Sequence, residues 1–147
     1  MFKNILVPTD GSPPSQKAVI QAVALAKSVG AKVTGLFAAP PATPIIFRDN
    51  LPVGYAAPDE HARMIKKTAT EYLDFIERTA KKAGVSYAAV HVTSDYPAEA
   101  ILDVAQKKKC DVIVMATHGQ GGLRGVFIGS VTQKVLNQSK IPVLVLR

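Results

Sequence analysis

The sequence predicts an α/β fold: a five-stranded, parallel, doubly wound sheet in the order 3-2-1-4-5, with helices on both faces. Two observations carry it. Short apolar runs rich in β-formers alternate along the whole chain with longer stretches of helical periodicity, giving the order β-α-β-α-β-α-β-α-β. The fourth run, Val112 to Met115, then feeds a glycine-rich segment and a helix start, and parallel sheets hold ligands at the carboxyl ends of their strands, where the winding reverses.

The first strand is Phe2 to Val7, apolar enough to be covered on both faces and ended by Pro8. Pro8-Thr-Asp-Gly-Ser12 is the turn after it. Ser12 is a good N-cap, and Pro13 sits where proline is tolerated, in the first helical turn. Ala18, Val19, Ala22, Val23, Ala26 and Val29 recur at helical spacing up to Gly30, the expected stop. Ala31 to Ala39 is the second strand. The stretch from Pro40 to Pro58 carries five prolines and Gly54, which leaves no room for long regular structure. Its Ile45, Ile46, Phe47, Leu51 and Tyr55 are too apolar for a free tail, so an ordered or half-ordered flap at about 40–58 is expected.

Asp59 to about Ala83 is the longest helix, with Met64, Ala69, Tyr72, Leu73, Ile76 and Ala80 as its buried stripe and Gly84 as its end. Val85 to Thr93 alternates, as a strand nearer a sheet edge does. Ser94 or Asp95 is expected to cap the third helix, with Pro97 in its first turn; Ala100, Ile101, Val104 and Ala105 face inward, and Lys107 to Lys109 suit the negative end of its dipole. The fourth helix starts near Ser130 and carries Val131, Val135 and Leu136 on one side. Ile141 to Leu146 is the last strand, at a sheet edge in this order.

At 147 residues, 48% hydrophobic and 20% charged, the chain reads as one globular domain, 1–147. No apolar run approaches the roughly 20 residues of a membrane span. Met1 to Pro8 reads as a strand rather than a signal peptide, and the single cysteine, Cys110, fits a reducing cytoplasm. A net charge of +7 and a pI near 9.6 raise nucleic acid and membranes as partners. The cations are scattered along helices beside Glu and Asp, and no RNA-binding aromatic signature appears, so solvated helix faces are expected, with neither nucleic acid nor membrane as partner.

The candidate site is the glycine segment: Gly119, Gly121, Gly122, Gly125 and Gly129. A strand, a glycine loop and a helix N-terminus together can cradle an anion on backbone N–H groups. The P-loop spelling is absent, and on the residues alone a phosphate site and a plain surface loop are equally good readings. The sheet rule brings in a second element. The first strand ends at Thr9-Asp10 and the fourth at Thr117-His118; these strands are neighbours across the switch point, so the opening turn and the glycine loop meet in one cleft.

Ala116-Thr-His-Gly119, nine residues, then Gly129-Ser130 resembles the nucleotide loop of the universal stress protein family, whose ATP-binding members carry Gly-x-x-Gly, nine residues, Gly-Ser/Thr. Ile5-Leu-Val-Pro-Thr-Asp-Gly-Ser12, the Pro97-Ala98 pair and Ile141-Pro-Val-Leu-Val-Leu146 extend the resemblance over the whole chain. It implies a Rossmann-like fold of the adenine nucleotide alpha hydrolase type. It also implies ATP, with Mg²⁺ as an option, held by Pro8, Thr9, Asp10, Ala38, Ala116, Thr117, His118, Gly119, Gly129, Ser130, Val131 and Thr132. Backbone groups at Thr9 and Ala38 would meet the adenine. Asp10 is either an Asx turn or helix cap, or a contact to ribose or Mg²⁺. Ser130 caps its helix or bonds a phosphate. His118, His61 and His91 read as structural, and Arg124 as a solvated loop cation. The family's first loop glycine is Ala116 here, which is harmless if that position is extended and unfavourable if it needs a positive φ.

No cysteine–histidine metal cluster, nucleophile elbow or positioned base is spelled, so no catalytic residue is nominated; at most slow ATP hydrolysis or autophosphorylation is expected. The resemblance further implies a homodimer through Pro142 to Leu146. The leading reading is a cytoplasmic, ATP-binding regulatory or protective stress-response module. A dimeric interaction protein without nucleotide comes second, and an enzyme acting on a nucleotide or other phosphate ester third.

Overall fold

The computed structural model describes residues 1–41, 45–48, 51–55, 58–119 and 127–147, with 45–48 and 51–55 as backbone. The elements run β1 (Asn4–Pro8), α1 (Pro13–Val29), β2 (Lys32–Ala39), β3 (Ile45–Arg48), β4 (Leu51–Tyr55), α2 (Pro58–Ala83), β5 (Tyr87–Thr93), α3 (Pro97–Lys107), β6 (Val112–Ala116), α4 (Ser130–Gln138) and β7 (Val143–Leu146). Five strands form one parallel sheet in the order β5-β2-β1-β6-β7, the expected 3-2-1-4-5.

Successive residues of the central strands point to opposite faces, and both faces are covered. Ile5, Val7, Val33, Val112 and Val114 pack against Val19, Val23, Leu73 and Ile76 of α1 and α2. Leu6, Leu36, Ile113 and Met115 pack against Ile101 and Val104 of α3 and Val135 of α4. The second core is closed by the two shorter helices.

Ser12 caps α1, its side chain accepting the Ser15 N–H, and Gly30 ends the helix with the Ala31 N–H on the Ala26 carbonyl. Three local expectations shift. Met64 is 62% exposed; the inward stripe of α2 is Ile65, Ala69, Leu73, Ile76 and Ala80, one residue out of phase at its start. Leu136 is 38% exposed, because Val135 takes the inward position of α4 and its neighbour lies about 100° round the helix. The N-cap of α3 is Tyr96, with no side-chain cap; Ser94 Oγ instead accepts the Tyr96 N–H at 3.0 Å. In the flap, β3 and β4 pair antiparallel, Ile45 opposite Tyr55 and Arg48 opposite Leu51. Residues 42–44, 49–50 and 56–57 lie outside the described residues, as do the flap side chains.

Candidate functional site

The site is built where β1 and β6, neighbours in the sheet, send their chains to opposite faces. Beyond β1, the Thr9 N–H donates to the Leu36 carbonyl at 2.8 Å, which carries the chain straight off the sheet. Thr9 Oγ1 then accepts from the Gly11 N–H (3.2 Å) and from Ser15 Oγ (2.9 Å), while the Asp10 N–H donates to Ser15 Oγ (3.3 Å). Asp10 Oδ1 accepts from the Ser12 N–H at 3.0 Å and from Ser12 Oγ at 2.5 Å. This is an Asx turn, and it orients the carboxylate. Gly11 has φ +74°, and a Cβ there would overlap the Tyr72 ring of α2, so backbone freedom and space both select glycine.

Beyond β6, the Thr117 N–H donates to the Leu146 carbonyl at 2.9 Å. Two bonds then clamp α4 to this strand end. The Gly129 N–H donates to the Thr117 carbonyl at 2.6 Å, and Thr132 Oγ1 donates to the Ala116 carbonyl at 2.9 Å. A Cβ at Gly129 would lie 3.2 Å from His118 Cα, a tight contact, so a larger residue there would push the strand end and α4 slightly apart. The intrahelical ladder of α4 opens with the Gln133 N–H on the Gly129 carbonyl. The N–H groups of Ser130, Val131 and Thr132 precede it, the geometry in which a helix N-terminus receives an anion.

Between the two strand ends lies a cleft of about 250 Å³. Pro8, Thr9, Asp10, Ala38, Ala116, His118, Gly119, Val131 and Thr132 line it, all named from the sequence. The Asp10 carboxylate and Gly119 close one side; a Cβ at 119 would overlap Asp10 Oδ2. Thr117, Gly129 and Ser130 are adjacent to the cleft and do not line it. Thr117 is buried and hydrogen-bonds His118 Nδ1 through its hydroxyl at 3.0 Å. Gly129 is the N-cap that holds α4 in place, and it, rather than Ser130, is the capping residue. The exposed Ser130 faces a neighbouring groove beside Tyr96, Glu99 and Lys134.

Sequence reasoning missed Ser15 and the apolar floor: Leu36, Ile101 and Met115, with Pro97 beside them. Leu36 and Met115 were findable in principle, because alternation puts the late residues of β2 and β6 on the α3 side. Ala116 is the last residue of β6, paired with Leu146, and Lys109 is the one non-glycine residue at positive φ among the described residues. The Ala116 methyl group is therefore unstrained. Gly121, Gly122, Arg124 and Gly125 lie outside the described residues.

Among the described residues no three His, Cys, Asp or Glu side chains converge as a metal site. Asp10, at the cleft wall, fits a cation only if phosphate oxygens complete the ligand set. Cys110 lies at the other end of β6, where burial is the main cause that raises its thiol pKa, and it takes no part in the cleft. His91 stacks on Phe37 at 5.7 Å, a structural contact.

The family model described as the universal stress protein family matches residues 1–147. Universal stress protein YxiE of Bacillus subtilis is 32% identical over 151 residues, covering 100% of both chains. The solved structure of MJ0577, from Methanocaldococcus jannaschii, superposes with a TM-score of 0.80 at 24% identity, covering 99% of this chain and 96% of that one. A universal stress protein solved in complex with cAMP superposes with a TM-score of 0.70 at 26% identity, covering 99% and 97%.

Proposed function

This chain belongs to the universal stress protein family, and from that premise we propose that it binds ATP in the cleft between the ends of β1 and β6 and acts as a regulatory or protective module in stress response. The observation that carries the reading is the juxtaposition itself. An apolar floor of Leu36, Ile101 and Met115 suits a base, and the first turn of α4 beside it suits phosphates. The relative in complex with cAMP supports an adenine nucleotide as the ligand class. Asp10 would meet the ribose, or a Mg²⁺ ion carried in by the phosphates.

The reading stops at binding. His118 is the one histidine lining the cleft among the described residues, and its ring is engaged with Thr117 Oγ1. Neither it nor Asp10 is placed as a base on a water, so any hydrolysis is expected to be slow. A cytoplasmic location accords with one cysteine and with the absence, among the described residues, of a helix long and apolar enough to cross a membrane. The homodimer through β7 is a second part of the proposal. That strand is a sheet edge, and Leu144 on it is 41% exposed.

Calorimetric titration of Mg-ATP into nucleotide-stripped protein tests the site. Wild type is expected to bind near micromolar, about −8 kcal/mol. Ala38→Leu, which fills the cleft, is expected to weaken binding by about tenfold or more with the melting temperature unchanged. No heat and no thermal shift at millimolar ATP would favour the dimeric interaction protein.

A further inference from the structure

In a parallel sheet with returning helices, strand starts and helix ends share one end of the molecule, opposite the cleft. Here that base gathers lysines from every layer. Lys27, Lys82 and Lys107 stand in the last turns of α1, α2 and α3, and Lys108 and Lys109 follow α3 directly. Lys3 immediately precedes β1 and Lys32 opens β2, and the two strand starts are tied by the Lys32 N–H to the Lys3 carbonyl at 3.0 Å. Lys140 precedes β7. All of these side chains are exposed. They are distant in sequence and fall together only through the winding.

Among the described residues a single acid stands at this end. Asp111 is the acid there, and its carboxylate is occupied by the N–H groups of Lys3 (2.7 Å) and Asn4 (3.2 Å). Asp103 and Glu77 stand about a turn further up their helices. Asp10, Asp59, Glu60, Asp95 and Glu99 lie at the cleft end, at or before helix starts. Among the described residues the excess of cations over acids thus falls at the base. Helix dipoles account for lysines in the last turns, but not for those that open strands.

We propose, in place of the merely solvated faces expected from the sequence, that this lysine-covered base is a docking face for an anionic lipid surface. Three observations select that partner. The lysines come from both helix layers and from the sheet, with Lys3, Lys27 and Lys32 lining one groove, so a broad anionic surface meets them together where a nucleic acid cylinder would meet a stripe. They are lysines throughout, hydrated point charges suited to diffuse attraction and not to the forked reading of single phosphates. The exposed aromatic rings among the described residues, Tyr96 and Phe127, flank the starts of α3 and α4 at the other end, so the base offers no platform for stacking bases. Docking this way is electrostatic, involves no insertion, and leaves the nucleotide cleft pointing away from the lipid.

Co-sedimentation of the whole protein with phosphatidylcholine vesicles, with and without phosphatidylglycerol, tests this at low and physiological salt. The protein is expected to pellet only with anionic vesicles and to be released by salt. Neutralising Lys27→Gln, Lys82→Gln and Lys107→Gln together is expected to lower partitioning on the order of a hundredfold, at roughly one lysine's surface attraction each. Lys17→Gln, Lys66→Gln and Lys67→Gln, the same charge change away from the base, is expected to leave it within about threefold. Circular dichroism checks that both variants are folded. Equal loss in the two triple variants, no pelleting at low salt, or retention of a DNA duplex in place of vesicles would each overturn the proposal.

Discussion

Ala116 carries a methyl group where nucleotide-binding relatives are expected to carry a hydrogen, and its setting decides what that means. It is strand backbone at the mouth of the cleft, in a conformation any residue adopts. Ala116→Gly is therefore expected to change ATP affinity by less than about threefold in calorimetry, whereas a loop position needing a left-handed φ would gain far more. At the far end of the same strand, Cys110 makes a prediction about pH. Its thiol pKa is raised, chiefly by burial, so the folded protein holds that proton more tightly than the unfolded chain. The stability this brings is complete below the ordinary thiol pKa, about 8.5, and is lost as pH rises through that value toward the folded one. Urea denaturation on either side of that pH is expected to show the decline, and Cys110→Ala is expected to flatten it. Tyr87 adds the same sign at higher pH; its phenol is pushed up by burial first and by Glu77 and Asp74 after it.

At the scale of elements, the one-residue phase difference in α2 has a measurable consequence. Met64→Gln is expected to stay within about 0.5 kcal/mol of wild type, while Ile76→Ala, fully buried between α2 and the sheet, is expected to cost about 2–5 kcal/mol in urea denaturation. The sheet order and most elements were legible because their signals are local: Ser12 and Gly30 bound α1, Gly84 ends α2, and apolar runs mark the inner strands. The start of the α2 stripe was less so, because Met64 and Ile65 are equally apolar and only the sheet decides which faces in. The site divides in the same way. The turn at Thr9-Asp10 and the loop ends at His118-Gly119 and Val131-Thr132 could be read from spelling and strand order. Ser15 could not, since a serine in a first helical turn is ordinary until Thr9 is known to face it. Nor could Ile101, a core residue by periodicity whose end of α3 happens to floor the cleft.

For the whole molecule, the two sheet edges differ. On β5 every side chain is exposed or half-buried, while β7 is four residues long and presents Leu144 to solvent. Light scattering at tens of micromolar is expected to give a dimer, and Leu144→Lys a monomer, with the sheet and cleft intact. The two faces differ as well. Helices α1 and α2, of 17 and 26 residues, close one core, and α3 and α4, of 11 and 9, close the other. Only Val135 and Thr132 of α4 are buried. Detaching that helix is therefore expected to require much less free energy than unfolding the domain, so its amide protons are expected to exchange with solvent through local opening while those of β1 wait for the global event. A nucleotide gripped by the first turn of α4 and the β1 turn would have to leave, or lose half its contacts, each time that helix lifts. The ligand would then act as a latch on the thin side of the protein, and its occupancy could be followed as slowed deuterium uptake in α4.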